Sequence, residues 1–139
     1  LGLAQLDRLG EIVRRRSAIA ARYDAAMRDL ADPERFLLPS VPAGAAPNWH
    51  VYAVQVRRSV REQFLAALQA EGIGATTHYE PLHCSAFARR RFGTRPGDLP
   101  VTEEGAARLV RLPIWPQMEE GDVEDVIRAV RKVVGELGS

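Results

Sequence analysis

The chain reads as an α+β domain, and two features carry that reading. Both ends hold long apolar stripes with helical spacing, and the middle holds short alternating segments separated by proline- and glycine-bearing turns. Strands set singly between helices predict a small antiparallel or mixed sheet of about three strands flanked by helices, with long first and last helices. The length of 139 residues suits one domain spanning 1–139, which buries roughly two thirds of its unfolded surface.

The first thirty residues predict one long helix. Leu6, Leu9, Val13, Ala20, Tyr23, Met27 and Leu30 recur at helical spacings, and Asp32-Pro33 stops the run. Phe36-Leu37-Leu38 is a short extended piece, and 41–47 is a proline- and alanine-rich loop. Trp49 to Arg57 alternates as a strand, with His50, Tyr52, Val54 and Val56 on one face. Ser59 and Glu62 form a capping-box pattern before a helix carrying Phe64, Leu65 and Leu68. Gly72 stands where a helix-ending glycine belongs. Ile73 to Tyr79 predicts a second strand, Leu82 to Phe92 a short helix closed by Gly93, and Thr102 the cap of another helix reaching about Leu109. Val110 to Ile114 is a further strand. Val123, Val126, Ile127, Val130, Val133, Val134 and Leu137 form the buried stripe of a last helix from Glu120 to Leu137. The aromatics Trp49, Tyr52, Phe64 and Trp115 are assigned to core faces.

Composition excludes several classes. A net charge of +1 creates no global field for nucleic acid. No apolar run reaches the roughly 20 residues a membrane span needs, and no signal-peptide pattern is present. The single cysteine, Cys84, has no internal disulfide partner, which suits a reducing compartment, the cytoplasm. The chain opens inside a helical pattern without an initiator methionine, so it is expected to be a piece of a longer polypeptide.

The run Gly72 to His83 is the densest in chemistry. His78, Tyr79 and His83 crowd the end of a predicted strand, and Pro81 breaks the backbone among them. His78, His83 and Cys84 are possible zinc ligands. A zinc site wants four ligands, or three with water, but His50 lies far off in sequence and no paired-cysteine spacing is present, so no metal is expected. Cys84 beside His83 on a helix would point about 100° away from it, so it reads as a small buried side chain. Arg14-Arg15-Arg16 spreads around a helix as a solvated face, whereas Arg89 to Arg91 lies near enough to the histidines to meet an anionic ligand. On residue chemistry alone, the reading stops at an α+β domain with a candidate polar site.

Several landmarks in order carry a resemblance. They are Leu3 to Leu9, the Arg14 to Tyr23 helix, Asn48-Trp49-His50-Val51-Tyr52, Gly72-Ile73-Gly74 through His78-Tyr79-Glu80-Pro81-Leu82-His83, Arg95 to Val101, and Leu112-Pro113-Ile114-Trp115-Pro116. Together they resemble the C-terminal small domain of the DegT/DnrJ/EryC1/StrS sugar aminotransferases, enzymes of fold type I that use pyridoxal phosphate. The resemblance implies nucleotide-sugar and amino-acid substrates, usually with glutamate as amino donor, and a homodimeric full-length enzyme. It also implies substrate contacts from His78 and Tyr79, then His83 and Arg89. The Schiff-base lysine of such enzymes lies in the large domain. The sole lysine here is Lys132, on the last helix, so these residues alone are expected to be inactive. A sugar dehydratase of the same fold and a stand-alone ligand-binding domain are the alternatives.

Overall fold

A computed structural model describes residues 6–137. The part of the predicted opening helix at 1–5 lies outside them. Helix α1 spans Leu9–Met27 and tightens into a 3-10 turn at Arg28–Leu30. Its second half is buried through Ile19, Ala20, Tyr23 and Met27. The last helix, called α5 below, spans Glu120–Leu137 as its periodicity predicts. It lies beside α1: Arg22 pairs with Glu120 and Glu124, and further along both helices Arg131 reaches Asp29 and the Ala26 carbonyl. Both contacts advance in the same sense, so the two helices run parallel. The first half of α1 therefore overhangs the start of α5. Leu6 and Leu9, predicted to be core, are 62% and 48% exposed on that overhang.

Among the described residues the sheet has three strands in the order β1-β2-β3. They are β1 (Phe36–Leu37), β2 (Tyr52–Val56) and β3 (Leu109–Leu112), all antiparallel. Tyr52 pairs with Leu112, Val54 with Val110, and Phe36 with Val56, so alternation puts these apolar side chains on one buried face. Against that face pack α1, α5 and α2 (Arg61–Ala70). The Tyr23 ring meets Tyr52 edge-on at 5.1 Å, and Phe36 meets Phe64 at 6.4 Å. Each buried phenol keeps a partner: Tyr23 donates to the Pro113 carbonyl at 2.8 Å and Tyr52 to Asp24 at 2.5 Å. Burial pushes both phenols well above their ordinary pKa, and the Asp24 hydrogen bond adds to this at Tyr52, so both stay neutral donors.

Sheet membership differs from the expectation. Ile73 to Tyr79 is no strand; only Thr76 makes a bridge, to Arg111 on the free edge of β3. The cause is local. Helix α2 ends in a Schellman motif, with Ile73 N–H on the Leu68 carbonyl, Gly72 N–H on Gln69, and Gly72 at φ 80. Ala75 N–H then turns back onto the Ile73 carbonyl at 2.9 Å, so the chain bends just where a strand would propagate. The third place in the sheet goes to Phe36–Leu37.

Five smaller expectations also give way. Strand β2 starts at Tyr52 because Trp49 adopts a left-handed backbone, φ 48, which leaves His50 exposed before the strand. Ser59 does not cap α2; it sits inside a 3-10 turn, Arg58–Val60, and the Glu62 carboxylate is held by Arg61 instead. Leu82 to Phe92 splits at Ser85 into a 3-10 turn, Leu82–Cys84, and helix α3 (Ala86–Phe92), because extended Ser85 accepts from Ala88 N–H as the true cap. Helix α4 (Pro100–Arg108) starts with Pro100 in its first turn, where a missing N–H costs nothing, so Thr102 lies inside it. Trp115 is 42% exposed rather than core.

Candidate functional site

Helix α4 runs directly into β3, and the segment Thr77 to Pro81 lies alongside both. Between them is an open hollow of about 360 Å³, lined by Arg61, Thr77, His78, Tyr79, Glu80, Pro81, Cys84 and Glu103, with Ala106 and Ala107. Two of the predicted contacts stand here. His78 is half-buried and its ring stacks on Tyr79, with centroids 6.3 Å apart. Burial, and then the nearby charges of Arg111 and His50, hold the His78 pKa below its ordinary value. The imidazole is therefore neutral near pH 7 and offers one donor and one acceptor. Tyr79 is 86% exposed, an aromatic with a phenol open to solvent.

The other two predicted contacts are placed differently. The His83 ring is 8% exposed and turned inward, its Nε2 at 2.8 Å from Glu103 Oε1. The same oxygen accepts Gly97 N–H at 2.7 Å, and Thr94 donates to the His83 carbonyl at 2.7 Å. The His83 bond first, and then the Gly97 bond, hold the Glu103 carboxyl below its usual range. Arg89 is exposed on α3 and does not line the hollow. Arg61 does: its guanidinium donates to the Ala106 carbonyl at 3.1 Å and to Glu62. Arg61 and Glu103 are the site residues missed from sequence. Each sits on a helix remote from the histidine run, and neither spacing nor neighbours mark it.

Cys84 touches His83 after all, Sγ to Nε2 at 3.4 Å, within the 3-10 turn Leu82–Cys84. Burial, then Glu103 and Glu80, push its thiol up, which leaves it protonated and a poor nucleophile. His83, Cys84 and Glu103 place one ligand-type atom each within 4.8 Å of one another. Two nitrogen or oxygen ligands of a tetrahedral zinc stand roughly 3.3 Å apart. The 2.8 Å between His83 and Glu103 is instead a hydrogen-bond length.

With this geometry in place, the comparisons decide the family. Its sequence model, described as the DegT/DnrJ/EryC1/StrS aminotransferase family, matches residues 1–131. The chain belongs to the DegT/DnrJ/EryC1/StrS aminotransferase family. It is similar to the spore coat polysaccharide biosynthesis protein SpsC of Bacillus subtilis, with 34% identity covering 96% of this chain and 35% of that protein. It superposes on the aminotransferase TlmJ from Streptoalloteichus hindustanus with a TM-score of 0.86 and 33% identity, covering 99% of this chain and 36% of that one. DesV of S. venezuelae, solved in complex with a ketimine intermediate, matches at a TM-score of 0.86 and 32% identity over 94% of this chain and 34% of its own. The chain thus spans about a third of the length of these relatives.

Pyridoxal phosphate is the cofactor of the DegT/DnrJ/EryC1/StrS family, and this chain's residues do not fit the lysine it needs. Lys132 lies on α5 with its ammonium 2.6 Å from Glu71, a bond that raises its pKa and keeps the amine protonated. It is not among the residues lining the hollow. Borohydride reduction after incubation with pyridoxal phosphate is expected to leave no stoichiometric adduct on Lys132. An adduct there that disappears in Lys132→Ala would contradict this placement.

Proposed function

We propose that this chain is the C-terminal small domain of a pyridoxal-phosphate-dependent sugar aminotransferase. The full-length enzyme, a cytoplasmic homodimer on this reading, moves an amino group from an amino acid, glutamate first among candidates, to the keto group of a nucleotide-linked deoxysugar. One observation carries the assignment: the hollow built by Thr77 to Pro81 sets His78 and Tyr79 on its rim in a chain matched to the family over residues 1–131. Neutral imidazole and phenol suit the hydroxyls and ring oxygens of a sugar, and Arg61 brings a positive charge within reach of a phosphate. Arg89, exposed one helix away, is a second candidate for the phosphates. His78 and Tyr79 hold the substrate in this scheme; the bond-making groups, including the cofactor's lysine, come from the large domain.

The experiment is an assay of the full-length enzyme. Glutamate with a keto-deoxysugar nucleotide is expected to give 2-oxoglutarate and an amino sugar in equal amounts. Loss of water from the sugar nucleotide with no 2-oxoglutarate formed would replace the proposal with a dehydratase.

A further inference from the structure

We propose that the His83–Glu103 pair is a positioning latch, which fixes where His78 and Tyr79 stand in the hollow without itself meeting substrate. The inference rests on the proposed function, and it moves His83 from contact to support.

The segment Thr77 to Pro81 has no regular structure, and among the described residues the backbone N–H groups of Thr77 to Glu80 make no hydrogen bond within the protein. Such a stretch keeps its conformation only if both ends are held. The upstream end is held at β3: Thr76 N–H meets the Arg111 carbonyl at 3.2 Å, and Arg111 N–H meets the Thr76 carbonyl at 2.7 Å. The downstream end is held at α4. Cys84 N–H closes onto the Pro81 carbonyl at 2.8 Å, and the turn so formed is tied to Glu103 through His83. Glu103 is in turn oriented by Gly97 N–H, and the His83 backbone by Thr94.

Both anchors belong to one continuous stretch. Helix α4 ends at Arg108 and β3 begins at Leu109, so Glu103 and Arg111 stand on a single rigid piece. That piece sets the distance between the two ends of the loop. The β3 anchor is backbone to backbone and survives any side-chain change. The α4 anchor hangs on one side-chain bond, made by a ring that is 8% exposed and so excludes competing water. Releasing it frees the half of the loop that carries Tyr79 and Glu80 first.

The test uses His83→Leu, which fills the buried space without a donor, and His83→Gln, which keeps a donor directed at Glu103. Glu103→Ala removes the same bond from a more exposed position and serves if His83→Leu does not fold. Native-state hydrogen exchange at Cys84 and Ser85, whose amides close the turn onto the Pro81 and Leu82 carbonyls, is expected to quicken about tenfold or more in His83→Leu, and to stay near wild type in His83→Gln. In the full-length enzyme, KM for the sugar nucleotide is expected to rise roughly three- to thirtyfold in His83→Leu, to recover in His83→Gln, and to leave the glutamate half-reaction unchanged. Unchanged exchange in both His83→Leu and Glu103→Ala overturns the latch, whatever the kinetics do. Faster exchange with unchanged KM upholds the latch and overturns instead the reading of His78 and Tyr79 as substrate contacts.

Discussion

Tyr52→Ala is expected to lower the unfolding free energy by about 3–5 kcal/mol, a large part of what a domain this size possesses. Tyr52 is fully buried at the start of the middle strand, packs its ring on both Tyr23 and Trp49, and donates to Asp24 on α1. Truncation removes the ring and leaves a cavity against α1, with Asp24 unpaired. Tyr52→Phe keeps the ring and loses only the hydroxyl, so it is expected to cost about 1–3 kcal/mol. Urea denaturation followed by circular dichroism measures both. Equal losses in the two variants would mean that the hydrogen bond, not the ring packing, joins the sheet to α1.

The long-range skeleton was legible because its signals are periodic. The stripe from Val123 to Leu137 predicts α5 at the bounds observed, and the alternation Tyr52, Val54, Val56 predicts which face of β2 is buried. Sequence did not reveal where the stripe of α1 finds cover. Leu9 and Tyr23 are equivalent in the pattern, yet only the second lies beside α5, since the offset between two parallel helices is a tertiary property. The false strand at Ile73 to Tyr79 has a similar origin. Its β-branched and aromatic residues suit a strand, but the bend from Ile73 to Ala75 and a single bridge to Arg111 leave the rest unpaired.

At the candidate site the legible part was a cluster close in sequence. His78 and Tyr79 were visible because they are adjacent to each other and to Pro81. Glu103 was not, for it reaches His83 from another helix and no local pattern announces a carboxylate that will be met across a fold. Nor was the inward turn of His83. In the 3-10 turn that the Ser85 cap separates from α3, Leu82 faces outward, 84% exposed, while His83 points in. Reading the Leu82 to Phe92 run as one continuous helix hid this.

The central claim is that His78 and Tyr79 hold the sugar nucleotide and do none of the chemistry. Both sit on the rim of the hollow, with the His78 ring neutral and stacked on an exposed Tyr79. A positioning hydrogen bond to a neutral group contributes about 0.5–1.5 kcal/mol and one to a charged phosphate about twice that. His78→Ala and Tyr79→Phe should therefore each raise KM for the sugar nucleotide by roughly two- to a hundredfold. The most direct measurement is kinetics of these two variants in the full-length enzyme, with the glutamate half-reaction followed separately by cofactor absorbance. The account predicts a raised KM for the sugar nucleotide and a glutamate half-reaction at the wild-type rate. A variant that lost the glutamate half-reaction while binding the sugar nucleotide normally would contradict it and give that residue a direct part in catalysis.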